Sequence, residues 1–153
     1  MAGEVQFEIS IPSDDEGYTL LQCEHCGTFF KIVTNDLNDK RLLNIYCPCC
    51  GLVSEHYLTD EVLDLANSMV ENYAMDQVFK FFKDLEKKSR NKMVQIKAGK
   101  KPRHIDEMPI KSGIDVLEIR EFKCCKRFAK IKPLLKITGC YCPFCGVKSY
   151  EAK

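Results

Sequence analysis

Cys47-Pro48-Cys49-Cys50-Gly51 and, 95 residues later, Cys142-Pro143-Phe144-Cys145-Gly146 spell the same short turn, and Cys23-Glu24-His25-Cys26-Gly27 shares its frame. Two thiolates separated by two residues fit a tight turn whose backbone amides point at the sulfurs. The glycine after the second cysteine accepts a positive φ that a side chain would resist. Two such turns complete one tetrahedral site, so Cys23, Cys26, Cys47 and Cys50 form a four-thiolate set suited to structural zinc.

The repeat extends beyond the cysteines. Phe29 and Ile32 follow the first turn as Phe128 and Ile131 follow Cys125, and Tyr46 precedes Cys47 as Tyr141 precedes Cys142. One cysteine module therefore stands at each end of the chain. Each resembles the zinc ribbon, or rubredoxin-like knuckle, superfamily, with the Tyr-Cys-Pro-x-Cys-Gly second knuckle of small bacterial and archaeal ribbon proteins. The resemblance covers residues 18–58 well and 114–150 less well. It implies a fold and a metal, and it names no activity.

The second copy departs from the pattern at its first knuckle. Aligning Cys125 with Cys26 places Phe122 where Cys23 stands and shifts Cys124 to the neighbouring position. Cys125, Cys142 and Cys145 are then three ligands. The fourth is Cys124 if the knuckle is shortened, or Cys140, which shares a strand face with Cys142. A third alternative is a copy that has lost its metal. Two zinc ions, one per ribbon, are the expectation.

Ten cysteines in 153 residues would also suit a disulfide framework. Met1 to Ile11, however, alternates acidic and apolar residues as an edge strand would and carries no secretory pattern. The expectation is a cytoplasmic protein with reduced, metal-available thiols and no membrane partner, since no apolar run reaches the roughly 18 residues of a span. A ribbon of about forty residues is too small to hold by burial alone, so metal would supply on the order of 10 kcal/mol of folding free energy.

Between the ribbons, Thr59 followed by Asp60 and Glu61 predicts a helix start, a hydroxyl cap with carboxylates in the first turn. The helix is expected from Asp60 to about Arg90. Val62, Ala66, Met69 and Tyr73 trace one apolar stripe, and Val78, Phe81, Phe82 and Leu85 a second, rotated one. Either the apolar face wraps round the helix or the element kinks near Asp76. This aromatic surface is expected to be core packed on the ribbons; the alternative is a partner-binding or homodimer helix.

Charge is nearly balanced overall, at +1 from 23 basic and 22 acidic residues, but uneven along the chain. Lys87, Lys88, Arg90, Lys92, Lys97, Lys100, Lys101 and Arg103 form a run without one acid, while Asp14, Asp15 and Glu16 cluster near the start. Val94 to Lys97 alternates like a short strand before the Gly99-Lys100-Lys101-Pro102 break. The run is either a solvated linker or a phosphate-binding surface for DNA or RNA.

Enzymatic chemistry finds little support. Cys47 to Cys50 has dithiol spacing, yet no βαβ pattern surrounds it, and a closed four-cysteine site offers no open position for a reactive water. His25 is expected in solvent, His56 is a minor alternative ligand, His104 lies deep in the basic linker, and Cys49 fills the slot of Phe144 as a small hydrophobe.

The sequence thus predicts a small, zinc-stabilised α+β protein in four segments. Residues 1–58 form an N-terminal strand and the first antiparallel zinc ribbon, 59–91 the helix, 92–113 a basic extended linker and 114–153 a degenerate second ribbon. The expected function is a non-enzymatic zinc-binding adaptor that holds nucleic acid through residues 87–103 and the ribbon edges. A protein-recruiting adaptor is the alternative. The basic run discriminates: an exposed face favours nucleic acid, and pairing with the acidic arm favours protein.

Overall fold

The computed structural model describes residues 3–111, 113 and 116–150; the expected start of the second ribbon at 114 lies outside the described residues. The protein is a small α+β chain with antiparallel sheets, one long helix and two cysteine clusters. It divides into two compact units, Ser10–Val62 with Ile110–Lys153, and Met1–Ile9 with Leu63–Pro109.

In the first unit, β1 (Tyr18–Gln22) pairs antiparallel with β2 (Phe29–Val33), which leads into a single turn of helix, α1 (Thr34–Leu37). The second half repeats this: β3 (Glu118–Phe122) pairs with β4 (Arg127–Ile131), and α3 (Pro133–Thr138) follows. An isolated two-stranded hairpin is marginal in water. Here β2 also pairs antiparallel with β4, giving one sheet in the order β1-β2-β4-β3. The two modules expected to be tied through a helix and linker are therefore tied directly to each other, which satisfies the backbone groups that each second strand would leave open.

The pairing is symmetric. Shifting the β1–β2 register by 99 residues reproduces the β3–β4 register, Leu21 opposite Phe30 becoming Arg120 opposite Ala129. In the β2–β4 ladder, Lys31 faces Lys130, its own repeat equivalent, so a local two-fold axis runs through that pair. This is the geometry of an isologous dimer carried on one chain. Phe30 and Ile32 from one half and Phe122, Ala129 and Ile131 from the other meet in one core with Cys140, Cys142 and Phe144. Each fully buried large side chain contributes about 1.5–3 kcal/mol.

Like charges directly opposite are unfavourable in a ladder. Asp14 offsets this one: its Oδ2 accepts from Lys31 Nζ at 3.0 Å and from Lys130 Nζ at 2.8 Å, and Glu16 also pairs with Lys130. Part of the acidic arm is thus spent inside its own unit. Arg127 ties the halves again, from β4 to Asp36 at 3.2 Å and Asp39 at 2.8 Å.

Helix α2 (Asp60–Ser89) is one continuous element through Asp76. Asp60 N–H donates to Gln22 Oε1 at 3.0 Å, and Val62 N–H to the Thr59 carbonyl at 3.0 Å. Its aromatic face is not core as expected: Val78, Phe81 and Phe82 remain 54, 61 and 45 % exposed. Two stripes rotated about one helix axis do not both face a single neighbour.

Residues 92–109 are not a free extended linker, nor do Val94 to Lys97 form a strand. The segment returns along α2. Asn72, buried, accepts from Ile105 N–H at 2.7 Å and donates to the Ile105 carbonyl at 2.9 Å. Ser89 Oγ accepts from Ile96 N–H at 3.0 Å, and Asp76 binds His104 and Lys101 at 3.0 and 3.1 Å. Asn72 and Ser89 thereby satisfy backbone groups that a strand partner would otherwise take. The N-terminal strand is absent too: residues 3–12 carry no regular structure, and Phe7 packs edge-on against Tyr73.

Candidate metal centres

Cys23 directly follows β1, Cys26 stands within the same turn, and Cys47 and Cys50 flank the second turn. The backbone closes each turn alike, Gly27 N–H to the Cys23 carbonyl and Gly51 N–H to the Cys47 carbonyl, both at 2.8 Å. The second-half counterpart, Gly146 N–H to the Cys142 carbonyl, is also 2.8 Å. Gly27, Gly51 and Gly146 all have φ near +70°, the left-handed conformation expected of this turn.

The fourth turn differs. In the 99-residue register Phe122 occupies the position of Cys23, and the ladder gains one extra pair, Phe122 opposite Arg127. The remaining loop closes as a tight turn from Cys125 N–H to the Phe122 carbonyl at 3.1 Å. Lys126 takes the left-handed conformation of Gly27, with φ 52°. Phe122 enters the core beside Phe144. Shortening the turn brings Cys124 to the sulfur cluster.

Two tetrads result, Cys23, Cys26, Cys47, Cys50 and Cys124, Cys125, Cys142, Cys145, with the sulfurs of each within 4.8 Å of one another. Within them, Cys26 and Cys47 lie 3.6 Å apart, Cys23 and Cys50 3.7 Å, and Cys124 and Cys145 3.5 Å. Zinc–sulfur bonds of about 2.3 Å in a tetrahedron place the sulfurs about 3.8 Å apart. The donor sets fit such an ion. Cys140, the alternative fourth ligand, is instead buried in the apolar core, and Cys49 is exposed outside the first tetrad. His25 and His56 lie beside Glu24 at 3.7 and 3.6 Å, and neither they nor His104 belongs to a tetrad.

The electrostatics favour a cation in each cluster. Burial opposes ionisation of Cys26, but the Thr28 hydroxyl and N–H bring its thiol down to about 6. Burial pushes Cys47 and Cys142 well up, and Cys125 up to about 11. Cys145 moves down, burial opposing and the Val147 N–H among the groups favouring its thiolate. Thiolates so close repel, so complete ionisation of a tetrad requires a compensating metal charge.

The centres are coupled through reciprocal contacts that sequence reasoning missed. Tyr46 N–H donates to the Pro143 carbonyl and Tyr141 N–H to the Pro48 carbonyl, each at 2.9 Å. The Tyr141 ring covers Gly51 and the Tyr46 ring covers Gly146, where an added Cβ would sit 2.8 and 2.9 Å from ring carbons. The Tyr-Cys-Pro-x-Cys-Gly spelling held the signal, with both the tyrosine and the glycine serving the opposite half.

All eight cations of the basic run are exposed. They belong to the unit of α2 and its return segment, and the tetrads to the other unit. Among the described residues no helix is long and apolar enough to cross a membrane. Compared with protein-family models, curated proteins and solved structures, the chain matches none.

Proposed function

We propose that the protein is a non-enzymatic adaptor of the duplicated zinc-ribbon type, holding two structural zinc ions and binding nucleic acid through phosphate contacts from Lys87, Lys88, Arg90, Lys92, Lys97, Lys100 and Arg103. The zinc reading is supported by two four-sulfur clusters of tetrahedral size. A closed thiolate site leaves no coordination position for a reacting water, which favours a structural role over a catalytic one.

The nucleic-acid reading is carried by one observation: among the described residues, Lys101 alone of the eight cations is paired with a carboxylate. Asp14 and Glu16, which would have quenched the run, are engaged by Lys31 and Lys130. Exposed unpaired cations release counterions from a polyphosphate, giving affinity without base reading. The test is DNA and RNA binding by zinc-loaded protein across a salt series. Affinity should fall steeply with salt, and replacing Lys97, Lys100, Lys101 and Arg103 by Glu should abolish binding while leaving zinc content unchanged. Absence of binding at low salt rejects the nucleic-acid reading.

A protein-recruiting role has one specific observation in its favour. An apolar groove of about 580 Å³ lies between α2 and its return segment, lined by Met75, Val78, Phe79, Phe82 and Pro102. Exposed Phe81 adjoins Phe82 there, ring to ring at 5.9 Å. Exposed aromatic surface of this kind marks partner sites.

A further inference from the structure

Arg120 stands in β3 where the repeat register puts Leu21 in β1. Leu21 is a core residue, and Arg120 is equally buried, 8 % exposed. Its guanidinium has few compensating contacts. Nη2 donates to Ser149 Oγ at 3.2 Å, the group lies 5.5 Å from the centre of the Phe122 ring, and Nη1 is buried without a hydrogen-bond partner. Among the described residues no carboxylate pairs with it. A buried guanidinium carries five donors and a charge, and leaving it this poorly matched is costly where the equivalent position takes a leucine without penalty.

Beside it lies a cavity of about 290 Å³, lined by Arg120, Lys123, Ser149 and Tyr150 together with Glu121 and Cys124, the latter a member of the second tetrad. The donors are of three kinds: a guanidinium fork, an ammonium and two hydroxyls. A planar carboxylate offers two acceptor oxygens to such a set, whereas a tetrahedral phosphate offers at least three and a charge that answers both cations. We propose that this cavity is a phosphate-binding site, with Arg120 its buried anchor and Lys123, Ser149 and Tyr150 the supporting donors.

The site belongs to the β3 edge of the sheet unit and uses none of the cations at 87–103, so it does not rest on the polynucleotide reading. The phosphate group has two available sources, a small phosphomonoester or the backbone of a nucleic acid. Glu121, the acid in the lining, opposes the anion, and its removal should strengthen binding.

The experiment is a titration of zinc-loaded full-length protein with inorganic phosphate at constant ionic strength, read by calorimetry and by thermal melting. Arg120→Leu restores the residue type of the equivalent position, so it should fold at least as well as the parent and melt higher without phosphate. Phosphate should stabilise the parent, bind Arg120→Leu about tenfold or more weakly, as expected for losing a charge-assisted hydrogen bond, and bind Glu121→Gln more tightly. Displacement by uridine monophosphate identifies a monoester ligand; displacement by a short oligothymidylate without terminal phosphate identifies a backbone. The variant with glutamate at 97, 100, 101 and 103 should keep this site, so failure of the polynucleotide reading remains distinguishable. A parent protein indifferent to phosphate, an Arg120→Leu variant that binds it equally, or a site from which neither competitor displaces it overturns the proposal.

Discussion

Lys31 and Lys130 face each other across the β2–β4 ladder, equivalent residues of the two repeats, and both ammonium groups hold one carboxylate oxygen of Asp14. The Lys31 side chain is only 4 % exposed, so this one carboxylate largely decides whether the central pairing is tolerated.

Asp14→Asn should therefore destabilise the sheet unit by about 3 kcal/mol, the scale for leaving a buried charge without its partner. The pH dependence follows from the same site. Burial opposes the Asp14 carboxylate, but Lys130, the Tyr18 N–H and Lys31 outweigh it and hold its pKa well below the ordinary range. A depressed folded-state pKa contributes stability that is complete above the unfolded value of about 3.9 and is lost as pH falls below it. Chemical denaturation at pH 7 and at pH 3 should show the gap between parent and Asp14→Asn shrinking at the lower pH. An equal gap at both values would contradict the assignment.

Glycine substitutions should separate backbone strain from cross-repeat packing. Gly27 has a positive φ and open space around its Cα, so Gly27→Ala should cost only the conformational penalty, about 1 kcal/mol. Gly146→Ala adds a Cβ 2.9 Å from the Tyr46 ring and should cost about 3 kcal/mol by thermal or urea melts. The reverse change tests the fourth turn. Lys126→Gly relieves a left-handed residue and should stabilise by about 1 kcal/mol; a loss of stability would show that the Lys126 side chain matters more than its backbone.

The cysteine pattern made much of this legible. Cys23, Cys26, Cys47 and Cys50 could be grouped from spacing alone, and the alignment of Phe122 with Cys23 anticipated the displaced first turn. What spacing could not reveal is that β2 and β4 join: hydrogen bonding between equivalent strands leaves no motif, and Lys31 opposite Lys130 reads locally as an unfavourable pair. The return of residues 96–105 along α2 was equally hidden, because it depends on single polar side chains, Asn72 and Ser89, rather than on periodicity. Arg120 looks like an ordinary strand residue until the repeat register sets it against Leu21.

Ligand and bystander cysteines should separate cleanly. Cys50→Ser and Cys124→Ser should each remove one metal ion from the chain, since losing one thiolate from a four-sulfur site weakens metal binding coupled to folding. Cys49→Ser should leave both metals and change stability little. Cys140→Ser should also retain both while lowering the melting temperature, because its site is an apolar core. Loss of metal from Cys140→Ser rather than Cys124→Ser would reassign the second centre.

Metal content tests the two centres most directly. Native mass spectrometry of reduced, full-length protein should find two zinc ions on each chain, and X-ray absorption should give four sulfur neighbours at about 2.3 Å for each ion. One ion or none, or iron with its visible absorbance, would contradict two closed zinc centres built on a shared two-fold sheet.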